Sequence, residues 1–376
     1  MDIGIRREAE YGERRVGLSP GGVETLVADR HRVYVQSNAG QQSGFSNLDY
    51  ASAGAQVVHS SEETLRRSQL ILSVGPPREA ELPYLSADQM WAGYLHLAVC
   101  PVHLLEELLE RRITLIDYAT METEQGWLPA QSPVSEVAGR MSVHVAAWLL
   151  QQDEQQGPGI LLSGVPGVPP ADVVIVGGGV VGTSAARAFA GLGAQVTLLD
   201  KSPAVMKRVD NEFHGRVVTM AAHQQNLRKA VSFADVLIGC ILIPGGRTPR
   251  LITREMVRSM RPGSVIVDIS IDQGGSVETS RPTTLRDPTF VEEGIIHYCV
   301  PNMASAVGRT ATHAMTNAVL PFVRDLASLG VEQAVRRDAC LARGVNLYRG
   351  RLINRRVAAS FQREAVPLSS LLSQIA

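Results

Sequence analysis

A glycine-rich segment near the middle of the chain has the residue types and spacing of a nucleotide-binding turn. The β-branched run Val173–Val176 predicts a buried strand, and Gly177, Gly179 and Gly182 follow it at G-x-G-x-x-G spacing. The first glycine allows a tight turn, the second lets the backbone approach a pyrophosphate, and the third lets helix and strand pack closely. We therefore expect a dinucleotide cofactor to be bound by the segment at the start of the following helix: Gly177, Gly179, Val180, Val181 and Gly182.

A second apolar strand, Ala194-Gln-Val-Thr-Leu-Leu, ends in Asp200. A carboxylate at this distance from the glycines can accept hydrogen bonds from the ribose of an adenosine dinucleotide. Because an acid here disfavours a 2′-phosphate, the sequence predicts NAD rather than NADP. The adjacent Lys201 leaves NADP open.

Three polar residues elsewhere could carry out chemistry, since ligands of doubly wound sheets bind beyond the carboxyl ends of the strands. His96 closes an apolar strand, and its imidazole could act as a general acid or base near neutral pH; the alternative is an ordinary core histidine. Asp272 precedes two glycines and could instead stabilise a turn. Arg15, which follows Arg14, could bind a carboxylate at two points, or the pair could lie on a solvated surface.

The elements that must position these residues alternate between short apolar runs and helix-length stretches. The predicted strands are Asp2–Ile5, Arg32–Gln36, Leu70–Val74, Met90–His96, Thr114–Tyr118, Val173–Val176, Val217–Met220, Val236–Ile241, Ser264–Ile269 and Ile295–Val300. The predicted helices include Pro20–Arg30, Val102–Arg111, Ser135–Gln151 and others starting near Val180, Pro203, Gln224 and Thr253. Gln152–Gly159 is polar and is predicted to be a surface loop.

This alternation predicts an α/β fold with two doubly wound parallel-sheet domains. Residues 1–130 with 309–376 would form a substrate-binding, catalytic domain, and residues 131–308 a Rossmann NAD-binding domain. The C-terminal part is predicted to return to the first domain as helical segments.

Composition narrows the class of protein further. The chain has 376 residues, which favours two domains, and its 45% hydrophobic and 19% charged residues are typical of a soluble globular protein. A net charge of −1 gives no reason to expect nucleic acid or membrane as a partner. Four scattered cysteines predict neither a zinc site nor disulfides. The sequence shows no signal-peptide layout and no apolar span, so we expect a cytoplasmic protein. We also expect no bound metal.

Taken together, the motifs resemble those of bacterial alanine dehydrogenase over the full length of the chain. The matching segments start at Gly12-Glu-Arg-Arg15-Val-Gly-Leu-Ser-Pro20, Tyr94-Leu-His96-Leu-Ala98 and Pro133-Val-Ser135-Glu-Val-Ala-Gly-Arg140. They continue through Gly164-Val-Pro-Gly-Val, Gly177-Gly-Gly-Val-Val-Gly182, Val267-Asp-Ile-Ser-Ile-Asp272-Gln-Gly-Gly275, Ser280-Arg-Pro-Thr-Thr284 and Pro301-Asn302-Met303. The wider family includes saccharopine-type dehydrogenases and the soluble part of proton-pumping transhydrogenase.

The resemblance implies NAD-dependent oxidative deamination of an amino acid such as L-alanine to a 2-oxo acid. It implies that His96 is the acid/base group, that Arg15 binds the substrate carboxylate and that Asp272 assists at the reacting carbon. Four further positions match residues that line the nicotinamide side of the site: Ser135, Ile241, Asn302 and Met303. It also implies a homo-oligomer, either a hexamer or a dimer.

One departure from the family concerns the substrate side. Alanine dehydrogenases have Val-Lys-Glu-Pro where this chain has Val74-Gly75-Pro76-Pro77, and their Tyr-Glu becomes Tyr118-Ala119. Loss of a cation that stabilises a developing oxyanion costs on the order of 3 kcal/mol. We therefore expect an altered substrate or amine donor, with an ordinary L-alanine dehydrogenase or a non-catalytic NAD-binding protein as the alternatives.

Overall fold

The computed structural model describes residues 1–8, 12–152 and 157–373. It divides into two compact units, each with its own sheet. The first unit comprises Met1–Val134, Pro244–Arg247 and Ser305–Ala376, and the second comprises Ser135–Ile243 and Thr248–Ala304.

Regular elements follow one another throughout the described residues. The strands are β1 (Asp2–Ile5), β2 (Arg32–Gln36), β3 (Gln56–Val58), β4 (Leu70–Leu72), β5 (Met90–Gly93), β6 (Thr114–Asp117), β7 (Asp172–Val176), β8 (Gln195–Asp200), β9 (Val217–Ala221), β10 (Val236–Gly239), β11 (Val265–Asp268), β12 (Thr289–Glu292), β13 (Ile295–Tyr298), β14 (Val345–Tyr348) and β15 (Arg351–Leu352). The α-helices are α1 (Pro20–Ala28), α2 (Asn47–Ser52), α3 (Ser61–Arg67), α4 (Val102–Glu110), α5 (Ser132–Leu149), α6 (Val180–Gly191), α7 (Pro203–Phe213), α8 (Gln224–Phe233), α9 (Arg254–Arg258), α10 (Gly308–Arg337), α11 (Ala339–Gly344), α12 (Arg355–Ser360) and α13 (Leu368–Leu372).

The sheet of the first unit has the strand order β15-β14-β6-β5-β4-β1-β2-β3. Strands β1 to β6 are parallel, whereas β14 pairs antiparallel with β6 and β15 pairs antiparallel with β14. The carboxyl ends of β1, β4, β5 and β6 therefore meet at one edge of the sheet. Two candidate residues of this unit follow two of these ends: Arg15 lies between β1 and α1, and His96 follows β5.

The sheet of the second unit has the order β12-β13-β11-β10-β7-β8-β9, parallel except for β12 at its edge. Alternate residues of β7 enter different hydrophobic clusters: Val173 and Ile175 pack in one, and Val174 and Val176 in the other. Both faces of the strand are thus buried, which explains its continuous β-branched sequence. The prediction of two α/β domains built on mainly parallel sheets is confirmed.

Several expected bounds differ from those observed. The strand predicted to run to His96 ends at Gly93, and the helix predicted from Ser135 begins at Ser132. The C-terminal segment, predicted to be helical, also contains β14 and β15. Of the predicted loop Gln152–Gly159, residues 153–156 lie outside the described part of the chain.

No helix within the described residues has the length and apolar character needed to cross a membrane. The described residues also contain no cluster of three or more histidine, cysteine, aspartate or glutamate side chains that could hold a metal ion.

Candidate active site

Arg15 lies inside the first unit and is paired with Glu13. The Arg15 side chain is 1% exposed. Its Nε donates to Glu13 Oε1 at 2.8 Å and its Nη2 to Glu13 Oε2 at 2.7 Å. Burial raises the pKa of Glu13, but the charge and hydrogen bonds of Arg15 outweigh this effect, so the pKa lies below its usual value. The solvated-surface interpretation is therefore wrong for Arg15, whereas Arg14 is exposed.

A cavity of about 250 Å³ adjoins this ion pair. Its lining is polar and carries both signs of charge: Arg7, Glu8, Glu13, Arg14, Arg15, Asn38, Ala39, Gln41 and Gln42. A buried arginine beside a small polar cavity is suited to binding a small carboxylate.

His96 follows the end of β5 in the left-handed backbone conformation, with φ 46° and ψ 39°. The conformation is uncommon for residues other than glycine and marks a position held by its surroundings. The His96 side chain is partly exposed, while its Nδ1 atom is buried and has no hydrogen-bond partner within the described residues. The Arg15 Cζ lies 5.9 Å from the ring centre of Tyr94, which precedes His96 by two residues in the chain.

Asp117 anchors the loop that carries His96, and sequence reasoning missed it. It ends β6 opposite Gly93, and is 1% exposed. Its Oδ1 accepts the backbone N–H of Leu95 at 3.2 Å and of Ala119 at 2.9 Å, and its Oδ2 accepts the Asn346 amide at 3.2 Å. Burial raises the pKa of Asp117, although the neighbouring His96 and these N–H groups oppose the increase. The sequence signal that could have identified Asp117 is an acid at the carboxyl end of β6, the strand that pairs with β5.

In the second unit, the three glycines between β7 and α6 differ in their surroundings. Gly177 has φ +107°, so the turn requires the left-handed region there. A Cβ on Gly182 would lie 1.8 Å from the carbonyl oxygen of Gly177, so only glycine allows this close packing. A Cβ on Gly179 would meet no described atom within 4 Å. Glycine at position 179 is therefore not required by packing within the described residues, and it leaves open space beside the backbone.

Asp200 fixes this turn through its carboxylate. Its Oδ2 accepts the backbone N–H of Gly178 at 2.7 Å, and its Oδ1 accepts that of Ser202 at 2.8 Å. The first turn of α6, which contains Val180 and Val181, begins directly after Gly179. The unit thus combines the N–H donors of a helix N-terminus and an open backbone with an acceptor acid at the end of the next strand, which is a set of groups suited to binding a dinucleotide.

The remaining predicted residues also lie in the second unit. Asp272 stands on a short 3-10 helix after β11, and its Oδ1 accepts the backbone N–H of Asn302 at 2.7 Å. Asn302 has φ 54°, and the next residue, Met303, is 3% exposed. The Ile241 N–H donates to Ser270 Oγ at 2.8 Å, and Ser135 is buried on α5. The structure thus brings Asp272 and Asn302 together.

The sequence matches the family described as alanine dehydrogenase/PNT. Its N-terminal domain matches residues 4–138 and its C-terminal domain matches residues 142–355. An alanine dehydrogenase of Halomonas elongata is 46% identical over 99% of this chain and 100% of that protein. An alanine dehydrogenase of Methanococcus maripaludis is 42% identical over 100% of each chain, and alanine dehydrogenase 2 of Staphylococcus aureus is 44% identical over 97% of each.

Solved structures agree with this relationship. A structure described as L-alanine dehydrogenase matches with a TM-score of 0.88 at 43% identity, covering 96% of this chain and 99% of that one. A transhydrogenase from Sinorhizobium meliloti matches with a TM-score of 0.75 at 22% identity over 94% of this chain and 99% of that one, which shows a shared fold alone. The chain belongs to the alanine dehydrogenase/PNT family of oxidoreductases.

Proposed function

We propose that the protein is an NAD(H)-dependent L-alanine dehydrogenase. The observation that carries this proposal is the identity of 42–46% to alanine dehydrogenases over almost the whole of both chains. The reaction is L-alanine + NAD⁺ + H₂O ⇌ pyruvate + NADH + NH₄⁺ + H⁺. The altered-substrate hypothesis drawn from Gly75 becomes the second candidate.

The second unit is suited to hold NAD, which supplies the hydride acceptor when bound. The pyrophosphate would be bound by the backbone at Gly179 and by the N-terminus of α6, where the helix dipole favours negative charge. Asp200 would accept hydrogen bonds from the ribose. Ser135, Ile241, Asn302 and Met303 would line the nicotinamide side.

The first unit supplies the groups for the substrate. Arg15 would bind the carboxylate of alanine or pyruvate, and its burial strengthens the attraction because little water screens it. His96 would exchange a proton with the substrate, a task for which imidazole is suited near neutral pH. Asp272 would assist at the reacting carbon, the role that the resemblance implies for it.

Two observations favour a different substrate or amine donor. Residue 75 has no side chain in this protein, and residue 119 is alanine. Both positions carry charged residues in the alanine dehydrogenases that the sequence resembles. The change would reduce the electrostatic stabilisation of charge on the substrate unless another residue replaces it.

A kinetic comparison distinguishes these candidates. NADH oxidation would be followed with pyruvate and ammonium, and then with a panel of 2-oxo acids and of primary amines. We expect kcat/KM for pyruvate with ammonium to exceed that of every other pair by at least about tenfold. A higher value for another pair would establish the changed-substrate function. Binding of NADH by calorimetry without turnover of any pair would instead identify a non-catalytic protein.

A further inference from the structure

Arg6 is a buried cation that no predicted role uses. It follows the end of β1, and is 2% exposed. Its Nη2 lies 2.9 Å from Glu8 Oε2 and donates to the Pro76 carbonyl at 3.0 Å, while its Nη1 lies 3.4 Å from Glu81. Its Cζ lies 5.2 Å from the centre of the Trp91 ring. Burying a charge in this way costs free energy unless the charge is paired and hydrogen-bonded.

The guanidinium of Arg6 lies beside the space above Gly75. A Cβ built on Gly75 would lie 3.8 Å from Arg6 Nη2 and 3.9 Å from Glu8 Oε2. These are ordinary contact distances, so a Cβ at position 75 clashes with no described residue and would lie beside Arg6. A lysine there would place a second cation close to a buried first one. Glycine at position 75 is therefore matched to arginine at position 6.

Glu8 connects Arg6 to the candidate substrate cavity. Its Oε1 accepts the backbone N–H of Val74 at 2.8 Å, its Oε2 contacts Arg6, and it lines the cavity together with Glu13 and Arg15. Burial raises the pKa of Glu8, and the charge of Arg6 opposes this increase. Without Arg6, the carboxylates of Glu8 and Glu81 would lose a shared cation, and the wall of the cavity would become more negative.

We propose that Arg6 supplies, from the end of β1, a buried positive charge beside position 75, where the alanine dehydrogenases that this chain resembles carry a lysine, and that this charge acts on the cavity through Glu8 rather than by contact with the substrate. Arg6 is a positioning residue: it balances Glu8 and Glu81, so that Arg15 attracts a substrate carboxylate. This inference rests on the proposed function for its kinetic readout. It would account for the proposed activity in a protein without that lysine.

Four proteins test the exchange of charge between the two positions: the wild type, Arg6→Met, Gly75→Lys and the double variant. Arg6→Met is expected to raise the KM for pyruvate and for L-alanine on the order of tenfold, because a buried charge loses its partner, and to leave the KM for NADH unchanged. Gly75→Lys alone is also expected to impair activity, because two cations then share one buried space. The double variant is expected to recover most of the activity lost in Arg6→Met.

Two further variants are controls. Arg6→Lys keeps the charge and should retain more activity than Arg6→Met. Arg67→Met removes an arginine that also stacks on an aromatic ring, with its Cζ 5.4 Å from the Tyr34 ring centre, and pairs with Glu63 at 2.8 Å. Arg67 is half exposed and is not among the residues that line the cavity, so its loss should leave every KM unchanged.

The outcomes separate this inference from the proposed function. A double variant no more active than Arg6→Met overturns the inference, and so does failure of the double variant to fold. Wild-type protein that turns over neither alanine nor pyruvate contradicts the proposed function. In that case the melting temperatures of the wild type and the three variants test the role of Arg6. A double variant that melts above both single variants supports the charge exchange, whereas additive losses overturn it.

Discussion

The guanidinium of Arg15 is held at two points by the carboxylate of Glu13, with Nε–Oε1 at 2.8 Å and Nη2–Oε2 at 2.7 Å. Both side chains are largely buried, at 1% and 12% exposure. The pair fixes the orientation of the guanidinium before any substrate arrives. A carboxylate substrate that binds Arg15 must also overcome the negative charge of Glu13.

The first prediction concerns Glu13→Gln and pH. The pKa of Glu13 is lower in the folded protein than its ordinary value of 4.5. Its ionic contribution to the free energy of unfolding is therefore fully present above pH 4.5 and is lost as pH falls through the lower folded value. Breaking such a buried pair costs about 3 kcal/mol near neutral pH, and the difference between wild type and variant should shrink below pH 4.5. Urea unfolding of both proteins, at a series of pH values from about 7 to about 3, measures this difference in the free energy of unfolding.

The Arg32–Asp2 pair provides the control for this measurement. Arg32 is 67% exposed, and Asp2→Asn should cost less than about 1 kcal/mol because water screens the pair. A Glu13→Gln difference that stays constant across the acid range would contradict the prediction.

The second prediction concerns the backbone at His96 as well as its ring. Asparagine adopts the left-handed conformation more readily than alanine, so His96→Asn removes the imidazole with less strain than His96→Ala. Both variants should lower kcat by about 10²–10⁴-fold, but only His96→Ala should also lower the melting temperature. Full activity in His96→Asn would exclude the acid/base role. Steady-state kinetics and thermal unfolding of the two variants give the comparison.

The third prediction separates packing from ligand approach in the glycine-rich turn. Gly179→Ala should leave the melting temperature nearly unchanged, because a Cβ there meets no described atom within 4 Å. It should nevertheless weaken NADH binding about tenfold or more, because the methyl group would enter the space proposed for the pyrophosphate. Gly182→Ala should destabilise the fold, since its Cβ would lie 1.8 Å from the Gly177 carbonyl oxygen.

Gly191→Ala, near the end of α6, is the matched control for these variants. Its Cβ also meets no described atom within 4 Å, and alanine favours the helix by roughly 0.5–1 kcal/mol. Calorimetry with NADH and thermal unfolding should show neither a binding defect nor a loss of stability. Unchanged NADH binding by Gly179→Ala would contradict the placement of the cofactor.

The fourth prediction concerns the choice between NADH and NADPH. Asp200→Ser removes a carboxylate that would bind the ribose and repel a 2′-phosphate. The dissociation constant for NADH should rise by about 10–100-fold, the effect of losing a hydrogen bond to a charged group, while that for NADPH should rise less. Fluorescence titration measures both constants. Asp210→Asn, an exposed acid on α7, should change neither, and an equal loss for both cofactors would sink the assignment.

Short-range sequence signals predicted much of the fold. The β-branched run of β7, the glycines after it and the acid at the end of β8 lie within one local unit, so the sequence alone indicates the turn that they form. The parallel order of both sheets follows from the alternation of strands and helices. Strands as short as β14 and β15 carry little periodic signal, and they form because β14 is buried against β6.

The missed site residues depend on contacts between distant parts of the chain. Arg6 reaches the carbonyl of Pro76 across 70 positions, and no pattern in either segment indicates this contact. The left-handed conformation of His96 also has no local signal, because it is fixed in part by the carboxylate of Asp117. Burial of Arg15 could not be read from an Arg-Arg pair, whose two side chains point to opposite environments.

The pairing of Asn346 with Asp117 joins residues 229 positions apart. During synthesis on a ribosome, the second unit emerges in full before β14 reaches the sheet that it completes. The first unit begins earlier but is completed later. The carboxylate of Asp117 has no Asn346 amide to bind until β14 has been synthesised. A nascent chain arrested before residue 345 should therefore contain a folded second unit and an unfinished, protease-sensitive first unit.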